Sequence, residues 1–264
     1  MPTTYTHDLF GKMVYHRLPQ KMQDIIRKNG NLYRIGLHGP DIFFYYLTNG
    51  KITGTGIRMH REPARDFFEK GMGIVRETGS RPLLAYLLGF ACHYLLDSAC
   101  HPYVNQVAGQ GEFSHTVLEK EFDRALMLET GKNPHHFYPS DCIVPKRSYA
   151  RVIHKVIPEI SAPKIYTSLR LMKFITNAMV YDNRGKRTRM LGLFSRIAGK
   201  KNSSAIMEYF MAEEPIPGTR KPVRELNKLF ESAVTEAPEA LEELFALSET
   251  EAPLSERWNR TYNG

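Results

Sequence analysis

A chain of 264 residues with 42% hydrophobic residues, 24% charged residues and a net charge of +8 can bury a core and is not of disordered composition. Its three cysteines, Cys92, Cys100 and Cys142, form no disulfide framework. The opening Met-Pro-Thr-Thr-Tyr-Thr-His-Asp lacks the basic and apolar regions of a secretory signal, so a cytoplasmic location is expected.

In chain order, the first chemistry-bearing residue is His7. Gly39-Pro40 then lead into Asp41 and the apolar run Ile42-Phe43-Phe44, so Asp41 reads as a helix cap or a loop carboxylate. Phe43, Phe44, Tyr45 and Tyr46 read as core, since two of any four consecutive helical residues face inward. Residues 48–56, rich in Gly and Thr, predict a loop, and His60 follows it. Pro82 to Cys100 approaches the length of a membrane span, but it carries His93 and Asp97, which a lipid-facing helix would not tolerate. It reads as a buried core helix, and no transmembrane segment is expected. A break is predicted over 104–114. Val117, Leu118, Phe122, Ala125 and Leu126 make the next apolar stripe, and a second break covers 131–145. Later stripes run through Ile165, Leu169, Met172, Ile175 and Met179, and through Leu226, Leu229, Phe230 and Val234. Alternating strand patterns are scarce. The expected fold is all-α, a multi-helix bundle with a metal-binding cleft, forming a single domain over 1–264. All ten histidines precede residue 155, which assigns the metal chemistry to 1–145. Residues 146–264, basic and then acidic, supply packing and surface.

His93, Asp97 and His101 recur at four-residue intervals, and His115 and Glu119 repeat the interval. A four-residue helical step turns about 40° and rises about 6 Å, so each series lines one face. Imidazole and carboxylate together suit zinc or another transition metal. His93 and His101 lie about 12 Å apart along the axis, too far to share one ion comfortably, while Asp97 between them is placed to bridge. The spacing therefore points to two or more metals. A buried His–Asp ion pair is the alternative, because a charge on an apolar stripe must be paired or metal-bound.

These residues resemble the zinc-dependent phospholipases C and the related zinc-dependent single-strand nucleases. The resemblance covers roughly residues 3–125. It rests on His7, Asp41, His60, the block His93-Tyr94-Leu95-Leu96-Asp97 followed by His101, and His115-x-x-x-Glu119, in that order. It implies zinc ions, two or three, sharing a cleft in an all-α bundle. By position, His60, His93 and Asp97, with Asp41, would hold one ion; His101, His115 and Glu119 a second; and His7, Asp97 and the chain's N-terminal amine and carbonyl a third. Removal of Met1 would make Pro2 that terminal residue. The implied activity is phosphodiester hydrolysis, with hydroxide formed at the metals attacking phosphorus and Asp41 as general base or water-orienting group. Relatives that prefer choline headgroups look to have an aromatic directly after the catalytic Asp and another three before the next His. Here those positions hold Ile42 and Ile57.

Residues 146–201 hold fourteen Lys and Arg against Glu159 and Asp182, a local excess that suits phosphate-rich partners. Within it, 184–201 reads either as an amphipathic helix contacting an anionic membrane peripherally or as an ordinary surface helix. Only Tyr181 and Phe194 are available for base stacking there, which favours a phospholipid substrate over nucleic acid. The rival readings are a zinc-dependent single-strand nuclease and a non-catalytic metal-binding helical protein. An HD-type phosphohydrolase is disfavoured because the only His-Asp dipeptide is His7-Asp8. A ferritin-like bundle is disfavoured because Glu-x-x-His is not found on two helices.

Overall fold

The computed structural model describes residues 4–180, 185, 186, 189, 192, 193, 210, 211 and 214–264. Every regular element among them is helical, so the protein is all-α. The helices are α1 (Thr4–Tyr15), α2 (Gln20–Lys28), α3 (Gly30–Gly36), α4 (Gly50–Arg61), α5 (Arg65–Thr78), α6 (Arg81–Gly109), α7 (His115–Glu129), α8 (Arg147–His154), α9 (Ala162–Ala178) and α10 (Arg220–Leu247). Short 3-10 turns cover Gly39–Phe43, Pro139–Cys142 and Glu256–Asn259. The chain forms two compact units. The larger comprises His7–Pro102, Cys142–Met172 and Leu229–Gly264, and the smaller Met1–Thr6, Tyr103–Asp141 and Lys173–Lys228.

In the larger unit, α6 is the axis of the core. Leu83, Leu84, Ala85, Tyr86, Leu87, Leu88, Phe90, Ala91 and Cys92 are all fully buried, which is the signature of a helix surrounded on every side. Its most apolar stretch is long enough to cross a membrane, but 83% of that stretch is buried within the fold, as expected of a core helix. Two glycines bring α3 onto it. A Cβ on Gly36 would lie 2.2 Å from the Tyr86 carbonyl oxygen, and one on Gly89 would lie 2.1 Å from the Tyr33 carbonyl oxygen. Only hydrogen at both positions lets the backbones approach this closely. The chain then turns at Gly39 (φ 45°), where a Cβ would strike the His93 ring at 2.3 Å. The 3-10 turn carrying Asp41 is thereby held against α6.

Two boundaries differ from the sequence expectation. The Gly- and Thr-rich stretch 48–56 is largely helix, not loop. The Asn49 side chain accepts from the Lys51 and Ile52 amides and caps α4, and Ile52, Gly56 and Met59 form its buried face. Gly56 suits this seat because a Cβ would meet the Pro40 carbonyl oxygen at 3.1 Å, a tight contact with backbone. Tertiary packing and a good cap outweigh poor intrinsic propensity. Helix α6 also continues beyond the predicted break at 104, running through Pro102 to Gly109, even though proline removes one backbone donor.

In the smaller unit, Ser114 caps α7 by accepting from the Val117 amide at 3.2 Å. The Asp123 carboxylate accepts from the Thr6 amide at 2.8 Å and the Tyr5 amide at 3.3 Å. It thus satisfies first-turn donors of α1 that have no intrahelical partner.

Candidate metal centre

Helix α6 presents His93, Asp97 and His101 in successive steps along one face, and three further elements of the larger unit complete the cluster: α1 with His7, the 3-10 turn with Asp41 and α4 with His60. The Asp97 carboxylate is its centre. Oδ1 lies 3.3 Å from His7 Nε2 and 3.5 Å from His101 Nε2; Oδ2 lies 3.1 Å from His93 Nε2 and 3.7 Å from His60 Nε2. His60 Nε2 is also 3.1 Å from Asp41 Oδ1. The rings of His7 and His93 stack with centroids 4.3 Å apart. Within the larger unit, two sets of three donor atoms lie within 4.8 Å of one another: His7, His93 and Asp97, and Asp41, His60 and His93.

Each contributor is held from behind. His7 leaves the first turn of α1, beside Asp8, which takes a forked contact from Arg34 (2.6 and 2.7 Å) and a third from Lys12 at 2.6 Å. Burial opposes ionisation of Asp8, but the hydrogen bonds and charge of Arg34, then Lys12, hold its carboxyl below the usual range. This ion pair joins α1 to α3. His60 Nδ1 donates to the Gly56 carbonyl at 2.8 Å, and His101 Nδ1 donates to the Tyr262 carbonyl at 3.0 Å. A carbonyl only accepts, so in both rings Nδ1 carries hydrogen and Nε2 is the atom turned to the carboxylates. His38, upstream of Asp41, is buried with Nε2 3.3 Å from Cys142 Sγ, and burial pushes its pKa down to about 3.

Charge balance distinguishes an ion-pair cluster from a metal centre. Protonating all four imidazoles would bury four cations against two carboxylates; leaving His60 and His101 neutral would set their Nε2 lone pairs against carboxylate oxygens. Burial would push the Asp97 carboxyl up, but the surrounding imidazoles, His101 and His93 foremost, hold it well below the usual carboxylate range. Burial likewise opposes ionisation of Asp41, yet the hydrogen bond from His60 and the charges of His93 and His60 hold it low. Burial disfavours the charged form of His60, but Asp41 and then Asp97 raise its pKa. Burial lowers that of His93. Nδ1 of His93 and Nδ1 of His7 are buried without a hydrogen-bond partner, which is costly. The donor set and the orphaned nitrogens fit a divalent cation of borderline softness.

The cluster is closed on one side and open on the other. His93 is fully buried and His7 is 3% exposed, whereas the side chains of His60 and Asp41 are 14% and 13% exposed. Solvent reaches the centre at Asp41 and His60. The ring of Phe44 lies 5.2 Å from that of His60 at this opening. Of the two positions where choline-preferring relatives look to have aromatics, Ile42 is fully buried and Ile57 is exposed on α4. Phe43 and Tyr45 are core, as expected from their spacing.

Of the remaining sequence candidates, His115 and Glu119 belong to the smaller unit. In the smaller unit His115 Nε2 pairs with Glu119 Oε1 at 3.0 Å, and His115 Nδ1 meets the Asn105 side-chain oxygen at 3.1 Å. Pro2 lies outside the described residues, as does most of 184–201. The Tyr262 carbonyl was not among the sequence candidates, because a backbone oxygen leaves no mark in residue type.

The family model described as zinc dependent phospholipase C matches residues 6–179, well over half of the chain. The chain belongs to the zinc-dependent phospholipase C family. No curated protein and no solved structure matches it significantly. His7, Asp41, His60, His93, Asp97, His101, His115 and Glu119 all fall inside the stretch matched by the zinc-dependent phospholipase C model. Residues 180–264, including Tyr262, fall outside it.

Proposed function

We propose that this protein is a zinc-dependent phosphodiesterase that hydrolyses phospholipid headgroups, working with two or three ions. The observation that carries the reading is the Asp97 carboxylate ringed by four Nε2 atoms at 3.1–3.7 Å. His7, His93 and Asp97, and Asp41, His60 and His93, are the donors proposed to hold the ions in the larger unit. His101, His115 and Glu119 are retained as a further donor set on the sequence pattern. When bound, zinc lowers the pKa of a coordinated water and offsets charge on the phosphoryl oxygens.

The chain's own groups supply the rest. Asp97, ionised at neutral pH, brings the imidazoles to one point. The Nδ1 hydrogens of His60 and His101 are committed to carbonyls, so those rings are fixed in orientation. Asp41 stands at the open side, is ionised, and is our choice for the group that orients the attacking water and takes its proton. The partly exposed position of Asp41 and His60 favours catalysis over a structural metal, since structural sites are closed. A basic peripheral contact with an anionic membrane through 184–201 and a cytoplasmic location remain part of the proposal on sequence grounds.

The test is hydrolysis of short-chain phospholipid, single-stranded DNA and bis-p-nitrophenyl phosphate by the zinc-loaded protein. Cleavage of phospholipid that stops with chelator and returns with zinc supports the proposal. Cleavage of DNA alone would move the protein to the nuclease branch. No hydrolysis of any of the three would leave a non-catalytic metal-binding protein.

A further inference from the structure

Residues 256–264 lie outside the stretch matched by the family model, yet their backbone and rings reach three of the four histidines around Asp97. The segment is firmly seated. Trp258 is fully buried, edge-on to Phe68 at 4.8 Å and stacked on Tyr94 at 5.3 Å. The Tyr94 hydroxyl donates to the Arg257 carbonyl at 2.5 Å and the Ala64 amide donates to the Arg260 carbonyl at 3.2 Å. These contacts direct Tyr262 inward. Its carbonyl accepts from His101 Nδ1 at 3.0 Å, and its ring lies 5.1 Å from that of His60 and 5.8 Å from that of His93. Next to it, the Asn263 side chain donates to the His60 carbonyl at 3.2 Å. Gly264, at φ 95°, packs against Pro102, where a Cβ would lie 2.5 Å from the ring.

We infer that Tyr262 is a positioning residue for the metal centre, its carbonyl fixing the tautomer and orientation of His101 while its ring walls His60 and His93. This rests on the reading of the cluster as a zinc centre. Packing alone would account for Trp258, which is remote from the imidazoles in its contacts. It does not account for a carbonyl aimed at the one ring nitrogen that must carry hydrogen if Nε2 is to face Asp97. A partner of this kind behind a ligand histidine is worth roughly ten- to a hundredfold in metal affinity.

The test is zinc affinity of the full-length protein, measured by competition with a chromophoric chelator, for the native chain, Tyr262→Phe and Tyr262→Gly. Tyr262→Phe keeps ring and carbonyl and should bind zinc as the native chain does. Tyr262→Gly removes the ring and frees the backbone, and should weaken zinc binding roughly ten- to a hundredfold while the metal-free protein keeps its helicity. Unchanged affinity in a folded Tyr262→Gly would overturn the inference, as would a loss in Tyr262→Phe equal to that in Tyr262→Gly. Should Tyr262→Gly fail to fold, nitrogen-15 NMR of the native zinc-loaded protein decides instead: His101 must be protonated at Nδ1, and protonation at Nε2 overturns the inference. A native chain that binds no zinc overturns the metal-centre reading and this inference together, whereas tight zinc binding indifferent to Tyr262 overturns the inference alone.

Discussion

Four imidazole nitrogens face the two oxygens of one carboxylate at Asp97, a mixed nitrogen and oxygen donor set that suits a transition metal. The same geometry sets the consequence of changing it. Asp97→Asn keeps the shape but replaces an anion with an amide whose NH2 group cannot act as a ligand. It should strip most of the bound zinc, and more than His115→Ala does, as read by elemental analysis of the dialysed proteins. Equal losses in the two variants would contradict the central place of Asp97. Asp41 predicts a different outcome. Asp41→Asn should lower kcat by about two orders of magnitude, the scale of a lost general base, with helicity and most zinc retained. Zinc lost in proportion to activity would make Asp41 a ligand only, with no separate role on the attacking water. At this scale much was legible beforehand. The four-residue spacing of His93, Asp97 and His101 put them on one helical face, and it named Asp97 as the residue between them. The outer contacts were not legible, because the partners of His60 and His101 are the carbonyls of Gly56 and Tyr262, and any residue type offers a carbonyl.

At the scale of elements, the crossing of α3 and α6 places Asp41 beside His93, and glycine makes that crossing. Gly89→Ala would put a methyl 2.1 Å from the Tyr33 carbonyl oxygen. Backbone does not yield as a side chain does, so a loss of at least about 1–3 kcal/mol is expected, with zinc binding weakened as the turn carrying Asp41 shifts. Gly73→Ala is the contrast. Gly73 lies inside α5 with nothing within 4 Å of a built Cβ, and alanine there should raise stability by about 0.5–1 kcal/mol. Urea denaturation of the two variants reads both effects, and a Gly89→Ala protein as stable as the native one would remove the close crossing. Periodicity revealed α6 and α7 well because their apolar stripes are long. It hid α4, where the Asn49 cap is local but the seat of Gly56 against Pro40 depends on the tertiary fold. It also ended α6 too early, reading the polar stretch after Pro102 as a break where the helix continues to Gly109.

On the scale of the molecule, the all-α fold followed from the near absence of strand patterns. The two-unit organisation did not, because most of its boundaries fall inside helices, after Thr6 in α1, Pro102 in α6, Met172 in α9 and Lys228 in α10, where no linker composition marks them. The one after Asp141 falls in the predicted break over 131–145. The histidine-poor end of the chain, residues 256–264, enters the account only through its folded contacts with His60, His93 and His101. The central claim is that the cluster around Asp97 is a multi-zinc centre, and the most direct measurement is the metal content of purified protein by element and stoichiometry. Two or three zinc ions per chain, removed by chelator and restored on adding zinc, are predicted. A protein that holds no transition metal after zinc loading, or only a single ion per chain, would contradict the account.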